Sequence, residues 1–150
     1  MTKNMIYPLI AAALILSCCC CKTSKKNVAN GQYPLIGTQW NLVALEGEEI
    51  GADFALRPFI TFDTAGNFQG NLGCNTFFGN YSVNKKQKMT FEFKGSTKRL
   101  CQQMGVERNF IKALKQDIVR YKIQGNELIL YAAEEMEIMR FTGVDLGKAE

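Results

Sequence analysis

Between positions 36 and 142 apolar and polar side chains mostly alternate, the pattern of short strands with one buried face. Thr38-Gln39-Trp40-Asn41-Leu42-Val43-Ala44-Leu45 places Trp40 and Leu42 on one face. Phe59-Ile60-Thr61-Phe62 runs into Asp63-Thr64-Ala65-Gly66-Asn67, a turn-forming set, and then into Phe68 and its successors, which predicts a hairpin. Residues 77–83 and 89–93 predict two more strands. Residues 118–123 turn at Gly125-Asn126 into 128–131, and the acidic corner Glu134-Glu135 leads into 136–141. About eight short strands punctuated by turns predict a mainly β fold, a β-barrel-like antiparallel sheet. One stretch has a different period: Val106, Phe110, Ala113 and Leu114, joined by Ile111, recur at helical spacing, with Arg108, Asn109, Lys112 and Lys115 opposite. It predicts one short α-helix over 105–116, packed on the sheet and closing one mouth or side.

The first residues follow another logic. Lys3 precedes the apolar run Pro8-Leu9-Ile10-Ala11-Ala12-Ala13-Leu14-Ile15-Leu16. A membrane-spanning helix needs roughly 20 apolar residues, whereas the apolar part of a secretory signal needs ~7–15. Ile15-Leu16-Ser17-Cys18 ends the run with a small residue directly before a cysteine, which resembles the bacterial lipobox. The resemblance implies a signal peptide over 1–17, cleavage before Cys18 and lipidation of its thiol. Four adjacent thiols, Cys18 to Cys21, cannot all face one metal ion without severe strain, since structural zinc sites space their ligands as CxxC pairs. Residues 18–35, polar and basic beyond the cysteines, read as a flexible tether, 36–142 as the domain, and 143–150 as a tail.

Charge supports this division. Four of the 18 basic residues (Lys3, Lys22, Lys25 and Lys26) precede Asn27 and no acid does, so the remaining 14 balance the 14 acids. A neutral domain argues against nucleic-acid binding. The absence of histidine removes Ser-His-Asp and Cys-His catalysis and His-ligated zinc.

Several constellations carry chemistry on paper. Cys74 and Cys101 are the two cysteines of the domain. An even pair in an exported chain favours a disulfide, with two reduced buried thiols as the alternative; a redox site would want CxxC. Such a crosslink stabilises by roughly 3–4 kcal/mol in the chain-entropy model. Gly66, Gly70, Gly73 and Gly79 lack the Lys-Ser/Thr and following helix of a phosphate loop, so turns, bulges and left-handed positions explain them better, and Asn75 is a further left-handed candidate. The carboxylates Asp53, Asp63, Glu92, Glu107 and Glu135 read as solvated turn, strand or helix-start residues, and Asp63 with Asn67 lacks a calcium loop's spacing. Trp40, Phe62, Phe68, Phe77, Phe78, Tyr81, Phe91 and Phe93 either fill a small barrel or line a ligand cavity inside it.

The order of these pieces resembles the META domain family, also called HslJ-like. Gly37-Thr38-Gln39-Trp40-Asn41-Leu42 resembles its opening strand, and Phe59-Ile60-Thr61-Phe62 with the stretch from Phe68 to Tyr81, including Gly73-Cys74-Asn75, its most diagnostic part. Ser96-Thr97-Lys98-Arg99-Leu100-Cys101, the helix and Leu128-Ile129-Leu130 complete the likeness over about 36–142. It singles out Trp40, Gly70, Gly73, Cys74, Asn75, Gly79, Tyr81, Thr97 and Cys101 as motif positions. It implies a small barrel-like fold with a packed helix, envelope placement, no established catalysis, no cofactor, and links to heat stress and novobiocin tolerance. The combined expectation is a non-catalytic lipoprotein on the periplasmic face of the outer membrane. Its partners would be the bilayer, through acylated Cys18, and an unidentified envelope component. The alternative is a carrier of a small apolar ligand inside the barrel.

Overall fold

The computed structural model describes residues 31–146 apart from 52, 53, 55 and 103, so the signal segment, Cys18 and Cys19 to Cys21 lie outside the described residues. The strands are β1 (Thr38–Leu45), β2 (Glu48–Glu49), β3 (Phe59–Phe62), β4 (Asn67–Asn71), β5 (Thr76–Val83), β6 (Met89–Ser96), β7 (Arg120–Gln124), β8 (Glu127–Tyr131) and β9 (Glu137–Asp145). Helix α1 (Met104–Leu114) lies between β6 and β7. The strands form one antiparallel sheet in the order β6-β5-β4-β3-β1-β9-β8-β7, with β2 paired to β1. The sheet curls into a half-barrel. Its ends approach where Tyr121 donates its N–H to the Gln87 carbonyl (2.9 Å) and Lys88 pairs with Asp117 (2.9 Å).

Alternation decides which side chains go inside. Trp40, Leu42, Ile60, Phe62, Phe68, Phe77, Met89, Leu128, Leu130, Met139 and Phe141 are buried in one core. Trp40 keeps its indole N–H satisfied by donating to the Leu35 carbonyl at 2.9 Å. Ring contacts run without a break through Tyr81, Phe62, Phe91, Phe68, Phe77, Phe110 and Phe141, with centroids 4.8–6.2 Å apart. Phe110 comes from α1, so the helix closes the open side of the half-barrel with a ring that touches both β5 and β9.

Two glycines make room for this aromatic series. In register, Phe68 of β4 faces Gly79 of β5, and Phe77 of β5 faces Gly70 of β4. A β-carbon at Gly79 would lie 2.5 Å from the Phe68 ring and 2.3 Å from the Glu92 carbonyl oxygen. One at Gly70 would lie 2.8 Å from the Phe77 ring and 2.0 Å from the Phe59 oxygen. Each ring therefore lies over the bare backbone of the neighbouring strand.

The structure corrects several expectations. Gly70 serves close approach rather than a left-handed turn, and Asn75 has no positive φ. The helix spans Met104–Leu114 rather than 105–116, and Val106 is only half-buried while Glu107 takes a buried place on the apolar stripe. Phe78 points outward, because Phe77 occupies the inward position of that adjacent pair. The domain also reaches beyond 36–142. Tyr33, assigned to the tether, packs on the core and donates its N–H to the Gly125 carbonyl (2.8 Å), and β9 continues to Asp145.

Replacing Gly79 with alanine should cost about 3 kcal/mol, the upper end for overpacking, because a backbone carbonyl as well as a ring must move. Urea unfolding checks this; a cost below about 0.5 kcal/mol, ordinary for a surface substitution, would show that the strands have slack at this pairing.

Candidate functional site

The β4–β5 turn carries Gly73, Cys74 and Asn75, and the β6–α1 connection carries Thr97, Arg99 and Cys101. Asn71 shapes the turn by accepting the Gly73 N–H at 2.7 Å, and Gly73 sits at φ +103° beneath the Phe54 ring, where a side chain would be strained. A disulfide joins Cys74 to Cys101 with their Cα atoms 6.4 Å apart. Cys74 is therefore held to the connection that leads into the helix.

Beside the disulfide, Asn75 spends its whole hydrogen-bonding capacity. Its Oδ1 accepts from Thr97 Oγ1 (2.8 Å) and from the Arg99 N–H (2.7 Å). Its Nδ2 donates to the Arg99 carbonyl (3.1 Å) and to both oxygens of Glu107 (3.0 Å each). Its own N–H donates to Glu107 Oε2 at 3.3 Å. Thr97 Oγ1 in turn accepts the Thr76 N–H at 3.1 Å. Glu107 is only 7% exposed, and no Lys or Arg pairs with it among the described residues. Its compensation comes from the two Asn75 N–H groups and from its place in the first turn of α1, where the helix dipole favours a negative charge. The expectation of a solvated Glu107 is thus overturned: it lies one helical turn before Phe110 on the apolar stripe, so it is carried inward with that ring.

The remaining motif positions lie elsewhere. Trp40, Gly70 and Gly79 belong to the core. Tyr81 donates its hydroxyl to the Asp63 carbonyl (2.9 Å), and its ring meets Phe62 edge-on at 4.8 Å. Burial pushes the Tyr81 hydroxyl pKa up, with the charges of Asp63 and Tyr121 adding to the shift. The Asn67 side-chain amide, followed by the Asn67, Ala65 and Gly66 backbone N–H groups, holds the Asp63 carboxyl below its ordinary range.

Chemically, this arrangement binds its own chain. The weighed carboxylates are dispersed: Asp63 caps its turn, Glu92 pairs with Lys94, Glu135 with Arg120, and Glu107 with Asn75; Asp53 lies outside the described residues. Among the described residues no three His, Cys, Asp or Glu side chains are grouped to hold a metal ion. Sequence reasoning missed Glu107 and the Arg99 backbone as members of the cluster. An acid spaced with Phe110 and Leu114 on the helix stripe was the available signal.

A family model described as META domain matches residues 33–145. No curated protein matches the chain. Among solved structures, a DUF4847 family protein from Bacteroides vulgatus is similar, with a TM-score of 0.59 and 18% identity, over 72% of this chain and 93% of that one. A protein from Burkholderia xenovorans is similar at 23% identity and a TM-score of 0.59, over 73% of this chain and 83% of its own. These two likenesses concern the fold.

Replacing Asn75 with alanine should cost about 3 kcal/mol or more, because Glu107 and the Arg99 backbone then lose buried partners together. Adding Glu107→Leu should recover part of that loss, since the uncompensated carboxylate is gone. A double-mutant cycle by urea unfolding checks the coupling; strictly additive costs would contradict it.

Proposed function

Because the chain belongs to the META domain family, we propose that it is an exported lipoprotein held in the cell envelope by acyl chains on Cys18. Its domain is a non-catalytic binding module that contributes to stress or novobiocin-type antibiotic tolerance by engaging an envelope component. The family is not a known enzyme family. The observation that carries the non-catalytic reading is the internal use of the motif. Every polar atom of the Asn75 side chain is spent within the chain, and so are both cysteines, leaving neither the amide nor a thiol free to attack or activate a substrate.

The carrier alternative gains little from the half-barrel interior, where the rings from Tyr81 to Phe141 contact one another in series. What supports the anchor is the sequence: a short apolar run, then Ser17-Cys18, then a basic polar stretch. One acyl chain binds a membrane marginally at ~0.8 kcal/mol per buried methylene, and two or more hold it firmly. Mature lysines rather than acids after Cys18 favour the periplasmic face of the outer membrane.

Metabolic labelling with a palmitate analogue tests the anchor. The wild type should carry label and sediment with envelope, whereas Cys18→Ser should lose the label, enter the soluble fraction and give lower novobiocin tolerance. Label retained by Cys18→Ser, or none on the wild type, contradicts the proposal.

A further inference from the structure

The outer face of β3–β6 carries a feature that neither the core nor the Asn75 cluster explains. Phe78, 57% exposed, stands among Thr61, Gln69, Asn80 and Lys94, which line a groove of about 570 Å³. On its other side Phe59 and Thr76 line a second depression of about 410 Å³. The Phe78 ring is seated rather than loose. Phe78 faces Gly95 of β6, and its Cε1 and Cζ lie 3.6 and 3.7 Å from where a β-carbon of Gly95 would stand. The register shifts between Phe78 and Gly79, so β6 holds one more residue there, Lys94, which lines the same groove. Bulges of this kind re-aim side chains beside binding sites.

The polar rim is partly committed and partly free. Asn80 Nδ2 donates to Asn67 Oδ1 (2.8 Å), and Asn67 Nδ2 donates to Asp63 Oδ2 (2.9 Å), which fixes both amides in place. The Gln69 side-chain amide and Asn80 Oδ1 have no partner among the described residues. A free carboxamide offers both donors and acceptors. An anion would need free cations here, but Lys94 is paired with Glu92. A peptide strand would need a sheet edge, whereas Phe78, Gln69 and Asn80 stand on β4 and β5, which have strands on both sides, and only β6 at the rim is an edge strand.

We propose that this groove binds a neutral oligosaccharide, with the apolar C–H face of a pyranose ring against Phe78 and its equatorial hydroxyls on Gln69 and Asn80. A sugar ring combines an apolar face with groups that both donate and accept, which matches one seated aromatic ring flanked by carboxamides. The volume falls in the roughly 300–1,000 Å³ range of small-molecule sites. The inference rests on the binding-module reading and names the class of its partner.

The test is an amide chemical-shift titration of the full chain in detergent with cellohexaose, chitohexaose and, separately, oleate. Either sugar should shift the amides of Thr61, Gln69, Phe78, Asn80 and Lys94. Phe78→Ala should weaken binding about tenfold, as loss of one aromatic contact predicts, with an unchanged unfolding midpoint. Absence of sugar-dependent shifts at these amides at millimolar concentration would overturn the proposal, as would shifts with oleate alone or equal binding by Phe78→Ala. The wild-type shift map decides the matter should that variant fold poorly. The titration reads the groove's ligand, while acylation and tolerance read the anchored module, so each can fail alone.

Discussion

A buried side-chain amide at position 75 must satisfy a carboxylate from the helix and the backbone of the segment that leads to it. That requirement ties three parts of the chain together: the β4–β5 turn, the β6–α1 connection and the first turn of α1. Buried polar groups in a low-dielectric interior cost several kcal/mol when unpaired, so the helix has little freedom to slide. Its placement matters because the sheet does not close on itself. Phe110 enters from α1 and joins Phe77 on one side to Phe141 on the other, completing a core that the half-barrel alone would leave open. The Cys74–Cys101 disulfide restrains the same junction covalently, and in the chain-entropy model a loop of this size adds roughly 3–4 kcal/mol.

Curvature and core then depend on each other. Rings laid over glycines let adjacent strands approach while large side chains still fill the concave side. The concave face is thereby committed to packing, and the convex face of β3–β6 keeps an exposed ring beside the Gln69 amide, which has no partner among the described residues. In the proposed function, structure and recognition divide between the two faces of one sheet.

Much of this was legible in the chain. A largely alternating pattern ahead of turn-forming residues marked Thr38–Leu45 and Phe59–Phe62 to the residue, because a two-residue period is what a half-buried strand requires. The two exposed acids of β2 carry no such pattern and were not found. Phe78 was readable in principle, since Phe77, Gly79 and Tyr81 take the inward positions, but composition drew every aromatic toward the interior. The purpose of Gly70 and Gly79 needed the strand register, which no local window contains. The partners of Asn75 lie 22 to 32 residues away, so its role could not emerge from spacing. Glu107 was the missed clue: an acid on an apolar stripe asks for a buried partner.

The central claim is that the Gly-Cys-Asn element is a rigid clasp made by the chain for itself. Hydrogen exchange at the Asn75 and Arg99 backbone amides tests it most directly, because these N–H groups end on Glu107 and on the Asn75 side chain. The account predicts that both exchange as slowly as the Trp40 amide in the central strand, through global unfolding alone. Exchange at the rate of an exposed loop would contradict it, and the motif would then be a mobile element.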